Sequence, residues 1–111
     1  MKLIISAQNL SLESQVERRF GRCAWFILFD TETNQWEAFQ NPGASQSGGA
    51  GVAAAQFVVD QKADVVISGD FGPNASRAFQ AAKVEMRVFN ENTSTVQEAV
   101  DHFRNDKLLK N

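Results

Sequence analysis

Cysteine, histidine and net charge are all scarce in this chain of 111 residues, and each scarcity removes a class of function. Cys23 is the single cysteine. That excludes an internal disulfide framework, and also a structural zinc or iron-sulfur site, which takes about four protein ligands. The one histidine, His102, sits between Asp101 and Phe103, off the apolar stripe of the last helical segment, and reads as a solvated side chain remote from any nucleophile. With a net charge of -2 and an isoelectric point near 5.3, the chain has no basic face for duplex nucleic acid. The opening "MKLIISAQ" is far too short in apolar residues for a signal segment or a membrane span. The expectation is a soluble protein in a reducing, cytoplasmic setting, without nucleic-acid or membrane partners. Its length is that of one domain, 1–111.

What is present is a strand and helix rhythm. "KLIIS" (Lys2 to Ser6) is a β-branched run that predicts a buried strand, and the polar stretch from Ala7 to Val16 predicts a long loop. "AWFILFD" and "QWEAFQN", separated by "TETN", read as a hairpin, with Trp36 and Ala38 on one face and Glu37 and Phe39 on the other. A loop rich in Pro, Gly, Ser and Asn then leads into "AGVAAAQFVVD", a helix whose apolar stripe is Val52, Ala55, Val58 and Val59. "DVVIS" predicts another buried strand, and "GPNASRAFQAAK" a helix with Pro73 at a first position and Ala75, Ala78, Phe79 and Ala82 on one stripe. "VEMRVF" predicts a strand nearer the sheet edge, with Met86 in the core. Thr95 and Glu98 form a capping-box pattern ahead of a final amphipathic helix. The order is β, a β hairpin, α, β, α, β, α. It implies a mixed sheet with helices on both faces, because parallel neighbours need crossovers.

In open sheets of this kind ligands bind outside the carboxyl ends of the parallel strands. That edge gathers the loop after Ser6, the "SGGAG" start of the first helix with Gly48, Gly49 and Gly51, and "SGDFGPN" with Gly69, Gly72 and Asn74. Both helix starts offer free backbone N–H groups and a positive dipole end, and "RRFGR" (Arg18, Arg19, Phe20, Gly21, Arg22) adds three guanidiniums if it lies nearby. On the residues alone these features make either an anion cradle or a set of tight turns with solvated arginines. The stretch from Pro42 to Ala50, without a large apolar anchor, predicts a mobile loop that orders around a ligand. Cys23, at the start of a strand, is either one thiolate for a metal or a small apolar residue.

"RRFGRCAWF", the "GAG" helix start and "GPNA" before an alanine-rich helix, in this succession, resemble the dinitrogenase iron-molybdenum cofactor biosynthesis family from Met1 to about Phe103. That family includes the NifX type, the NifB C-terminal domain and small stand-alone proteins. The resemblance implies a ribonuclease H-like three-layer α/β/α fold with a five-stranded mixed sheet. It also implies a non-catalytic role in binding or carrying an anionic metal-sulfur cluster containing molybdenum with iron or copper, and exchange with cluster-donating or cluster-receiving proteins. Some stand-alone relatives hold a molybdenum-copper-sulfur cluster non-covalently, for which glycine N–H groups and arginines are fitting partners. Members serving nitrogenase often carry histidine directly before the Phe-Gly pair. Arg19 stands there in this chain, which points to the stand-alone branch.

The enzymatic alternatives lose their key residues. Two-metal nucleases of ribonuclease H-like fold place an acid on the first strand, and "KLIIS" has none; "SGGAGVA" lacks the Lys-Ser or Lys-Thr of a phosphate-binding Walker loop. The remaining alternatives to a cluster carrier are a protein-interaction module and a small-anion-binding regulator of the same fold.

Overall fold

The computed structural model describes residues 1–45, 48–89 and 94–110. Six strands and three helices follow in the order β1 (Lys2–Ala7), β2 (Trp25–Asp30), β3 (Trp36–Gln40), α1 (Ala50–Asp60), β4 (Val65–Ser68), α2 (Gly72–Ala82), β5 (Glu85–Val88), α3 (Val96–Arg104) and β6 (Leu109–Lys110). A short 3-10 turn, Phe20–Arg22, lies between β1 and β2. The sheet order is β3-β2-β1-β4-β5-β6, with β1, β4 and β5 parallel and the other pairs antiparallel. This is the expected five-stranded mixed sheet, extended by the two-residue β6.

Alternation along the strands divides the core between the two faces. Ile4, Phe26, Val66 and Met86 face α1 and α2, where they meet Ala54, Ala55, Val58, Ala75 and Phe79. Leu3, Ile5, Ile27, Val65 and Ile67 face α3 and its Val96, Ala99 and Val100. Each fully buried large side chain contributes roughly 1.5–3 kcal/mol, so both layers are needed to hold the sheet.

Helix α1 is rotated from the expected stripe. It buries Ala50, Ala54, Ala55 and Val58, while Val52 is 54% exposed. Alanines at a spacing of four let the helix lie close to the sheet, and the larger valine is left outside. In α2, Ala75 and Phe79 are buried as expected and Ala82 is exposed. His102 is half-buried rather than solvated, its ring 4.8 Å from that of Phe89. At the far edge, buried Arg87 of β5 hydrogen-bonds Asp106 and the Leu108 carbonyl, both at 3.1 Å, pairs with Glu85, and lies over the Phe103 ring. This clasp holds the chain that leads into β6.

Candidate functional site

The carboxyl ends of β1 and β4 are joined by a buried serine pair. The Ser6 hydroxyl donates to the Ser68 hydroxyl at 2.7 Å, both lie within reach of the Glu17 carbonyl, and the Glu17 N–H donates to the Ser6 carbonyl at 2.9 Å. The segment carrying Arg18 and Arg19 is thereby pinned across the strand ends. From there it runs alongside the loop before α2. Arg19 pairs with Asp70 as a parallel bridge, and the Phe20 N–H donates to the Asp70 carbonyl at 3.0 Å.

The 3-10 turn is a wedge between two helix starts. Phe20 is its anchor, 1% exposed, with ring centroids 5.3 Å from Phe26, 5.7 Å from Phe71 and 5.3 Å from Phe79. On the other side a Cβ at Gly21 would lie 3.0 Å from Gly51 Cα in the first turn of α1. The turn thus touches α1 through Gly21 and the α2 start through Phe20, and it brings the arginine segment to both.

Among the described residues no side chain caps either helix start, and neither has an acidic residue in its first turn. The cap of α1 is Gly49, left-handed at φ 72°, and the cap of α2 is Phe71, followed by Gly72 at φ 75°. Space is open in front of Gly48, Gly51 and Gly72. These first-turn N–H groups therefore keep their capacity for an acceptor, with the positive dipole end unopposed by a side-chain carboxylate. Arg18 and Arg19 are exposed, and their side chains have no hydrogen bond or ion pair among the described residues; Arg22 is exposed as well. The exposed Asn74 amide oxygen accepts from Arg77 at 2.5 Å, which holds a further guanidinium over the first turn of α2.

Four of the expected site residues take other roles, Gly21 among them as the contact of the turn with α1. Phe20 is buried in the core. Gly69 is buried under the arginine segment, where a Cβ would lie 2.7 Å from Arg18 Cα, so it is required for close packing and has no open approach for a ligand. Cys23 is 0% exposed, and burial, partly offset by hydrogen bonds from the Ala7 backbone and Asn41, pushes its thiol up to about 12. Enclosed in this way, the thiol packs in the core as a small apolar side chain. Among the described residues no group of three or more His, Cys, Asp or Glu side chains could hold a metal ion.

Asn41 is the site's organiser, and local sequence gives it no special signature. Buried, it donates from Nδ2 to the Cys23 carbonyl at 2.9 Å and the Gly21 carbonyl at 3.2 Å, and its Oδ1 accepts from the Gly43 N–H at 2.8 Å. Gly43 packs so closely on α1 that a Cβ would lie 2.4 Å from the Ala50 carbonyl oxygen. The first part of the loop expected to be mobile is therefore a fixed turn, while Gln46 and Ser47 lie outside the described residues. A cavity of about 270 Å³ beside it, lined by Ala24, Trp25, Gln40, Asn41, Ala44 and Ser45, borders this loop, and one of about 210 Å³ lies at the hairpin beneath Lys2, Asp30 and Glu37. Neither includes an α1 or α2 first-turn residue. The cradle is an open ledge formed by two helix starts and an arginine turn.

Residues 1–106 match the family described as dinitrogenase iron-molybdenum cofactor. Among solved structures, the apo form of the orange protein from Desulfovibrio gigas is 32% identical, with a TM-score of 0.93 over 99% of this chain and 92% of that one. A Thermotoga protein provisionally named NifB is 31% identical, with a TM-score of 0.84 over 98% of this chain and 91% of the other. A comparison with curated proteins finds no match.

Proposed function

The chain belongs to the dinitrogenase iron-molybdenum cofactor family, with a role in metal-cofactor binding or biosynthesis, and on that premise we propose that it carries an anionic metal-sulfur cluster as cargo, without catalysing a reaction. The carrying observation is the pair of uncapped helix starts, α1 at Gly49 and α2 at Phe71, bridged by the arginine turn. The cluster is molybdenum-containing with copper or iron and brings its own sulfides. This suits a site built of donors: N–H groups and guanidiniums complement sulfide anions, whereas bare metal ions would need the acidic, thiolate or imidazole ligands that the ledge does not assemble.

Arg18, Arg19, Arg22 and Arg77 supply charge, and Gly48, Gly49, Gly51 and Gly72 let sulfides approach the backbone. Phe20, Gly21, Gly69 and Asn41 hold these parts in place. A helix N-terminus contributes about 0.3–1 kcal/mol toward an anion, and a charge-assisted hydrogen bond about 1.5–3 kcal/mol, so useful affinity requires several donors acting together. Exchange with donor or acceptor proteins is compatible with a ledge open to solvent on one side.

Titration of the purified chain with tetrathiomolybdate, with and without copper, tests the reading by visible absorption. Saturable colour at a fixed stoichiometry is expected, and Arg18→Ala with Arg19→Ala should weaken retention at least tenfold. A flat spectrum under both conditions contradicts the carrier role. Equal retention by the double variant moves the cargo away from this ledge.

A further inference from the structure

The two edges of the sheet are finished differently. At one, β5 is covered by β6 and the Arg87 clasp. At the other, no described strand lies beyond β3. The ladder bonds Asp30 N–H to the Gln35 carbonyl at 2.9 Å and Asn41 N–H to the Ala24 carbonyl at 3.1 Å fix the parity of the β2–β3 pair. Odd-numbered residues of β3 turn their backbone groups toward β2, so Trp36, Ala38 and Gln40 turn theirs outward, where no described residue pairs with them. The strand "WEAFQ" carries no lysine, no proline and no bulge, the usual devices that protect an exposed edge. Trp36 is 41% exposed beside it.

We propose that this edge pairs with the same edge of a second copy, antiparallel about a two-fold axis at Ala38, to make one continuous sheet through two molecules. The occupant follows from self-complementarity. Because the outward residues are all even-numbered, a two-fold at Ala38 places each of them opposite another outward residue: Ala38 opposite Ala38 and Trp36 opposite Gln40 of the second copy. About six ladder hydrogen bonds result. On the other face Glu37 falls opposite Phe39, so the strand's single charge meets no like charge. Small Ala38 leaves the pair on the axis free of crowding, and the exposed Trp36 indole is covered across the junction. A five-residue strand buries less than the roughly 1,200–2,000 Å² of a standard interface, so the association is weak and concentration-dependent.

Sedimentation velocity of the full chain from micromolar to millimolar concentration should show the mass rising from 12.3 kDa toward twice that value. Ala38→Pro removes an outward N–H and leaves the bonds to β2 in place, so it should fold normally and associate at least tenfold more weakly. Cross-linking reads the register independently. At the axis, Cα atoms of opposed residues lie about 5.5 Å apart, within disulfide reach, so Ala38→Cys should form a covalent dimer on oxidation; Trp36→Cys, about 15 Å from its symmetry mate, should not. Cys23 is buried and does not compete. A chain that remains monomeric at millimolar concentration overturns the proposal, even if the edge takes up an extended peptide from another protein. So does equal cross-linking at the two positions.

Discussion

The start of α3 and the starts of α1 and α2 stand on the same sheet and solve the same chemical problem in opposite ways. At α3 the Thr95 hydroxyl accepts from the Glu98 N–H at 3.1 Å, and the Glu98 carboxylate accepts from the Thr95 N–H at 3.0 Å, so side chains satisfy the first turn and an acid opposes its dipole. At α1 and α2 no side chain of the described residues does so, and glycine keeps the approach clear. A fold able to build a complete capping box has left two neighbouring helix starts open and set an arginine turn between them. The closed start serves stability and the open pair is available to a ligand.

The most severe way to break this contrast is to remove the wedge. Phe20→Ala should cost about 3–5 kcal/mol, seen as a lowered urea midpoint, because it empties a site enclosed by Phe26, Phe71 and Phe79. The buried thiol next to the wedge gives a pH signature. Cys23 titrates at about 12 when folded against 9.0 as the ordinary value, so the unfolded chain loses its proton first and stability falls as pH rises between those values. Its contribution is fully present below about pH 9, and the slope above it is at most about 1.4 kcal/mol per pH unit. In Cys23→Ala, denaturant titrations across that window should show the slope reduced by this amount.

Two smaller substitutions separate the closed start from the open ones. Thr95→Ala should destabilise by about 1 kcal/mol and leave cluster retention unchanged. Gly51→Ala should stabilise slightly, by about 0.5 kcal/mol, since its φ is ordinary and its Cβ meets open space, yet it should weaken retention by narrowing the ledge. If Gly51→Ala keeps full retention, that open space is not where the cargo sits.

The regular elements were legible in the sequence because their signals are local: β-branched runs for β1 and β4, alternation for the hairpin, and the Thr95 and Glu98 spacing for α3. The family resemblance, too, rested on local motifs, and the match over residues 1–106 bears it out. What escaped depends on distant partners. Asn41, Ser6, Ser68 and Arg87 are polar residues whose burial becomes favourable only when remote carbonyls, hydroxyls or carboxylates arrive to pair with them. Phe20 and Gly69 adjoin arginine and glycine in sequence, which suggests ligand-facing residues, yet packing uses one as anchor and the other as clearance. Two residues of β6 are too few to carry any periodic signal.

Backbone amide shifts recorded as tetrathiomolybdate and copper are added test the account most directly, since all three helix starts report in one experiment. The account predicts perturbations concentrated at Gly48 to Gly51, at Gly72 and Asn74 and along Arg18 to Arg22, with Thr95 to Glu98 unmoved. Perturbations spread evenly over all three starts, or centred on Thr95 to Glu98, would contradict it.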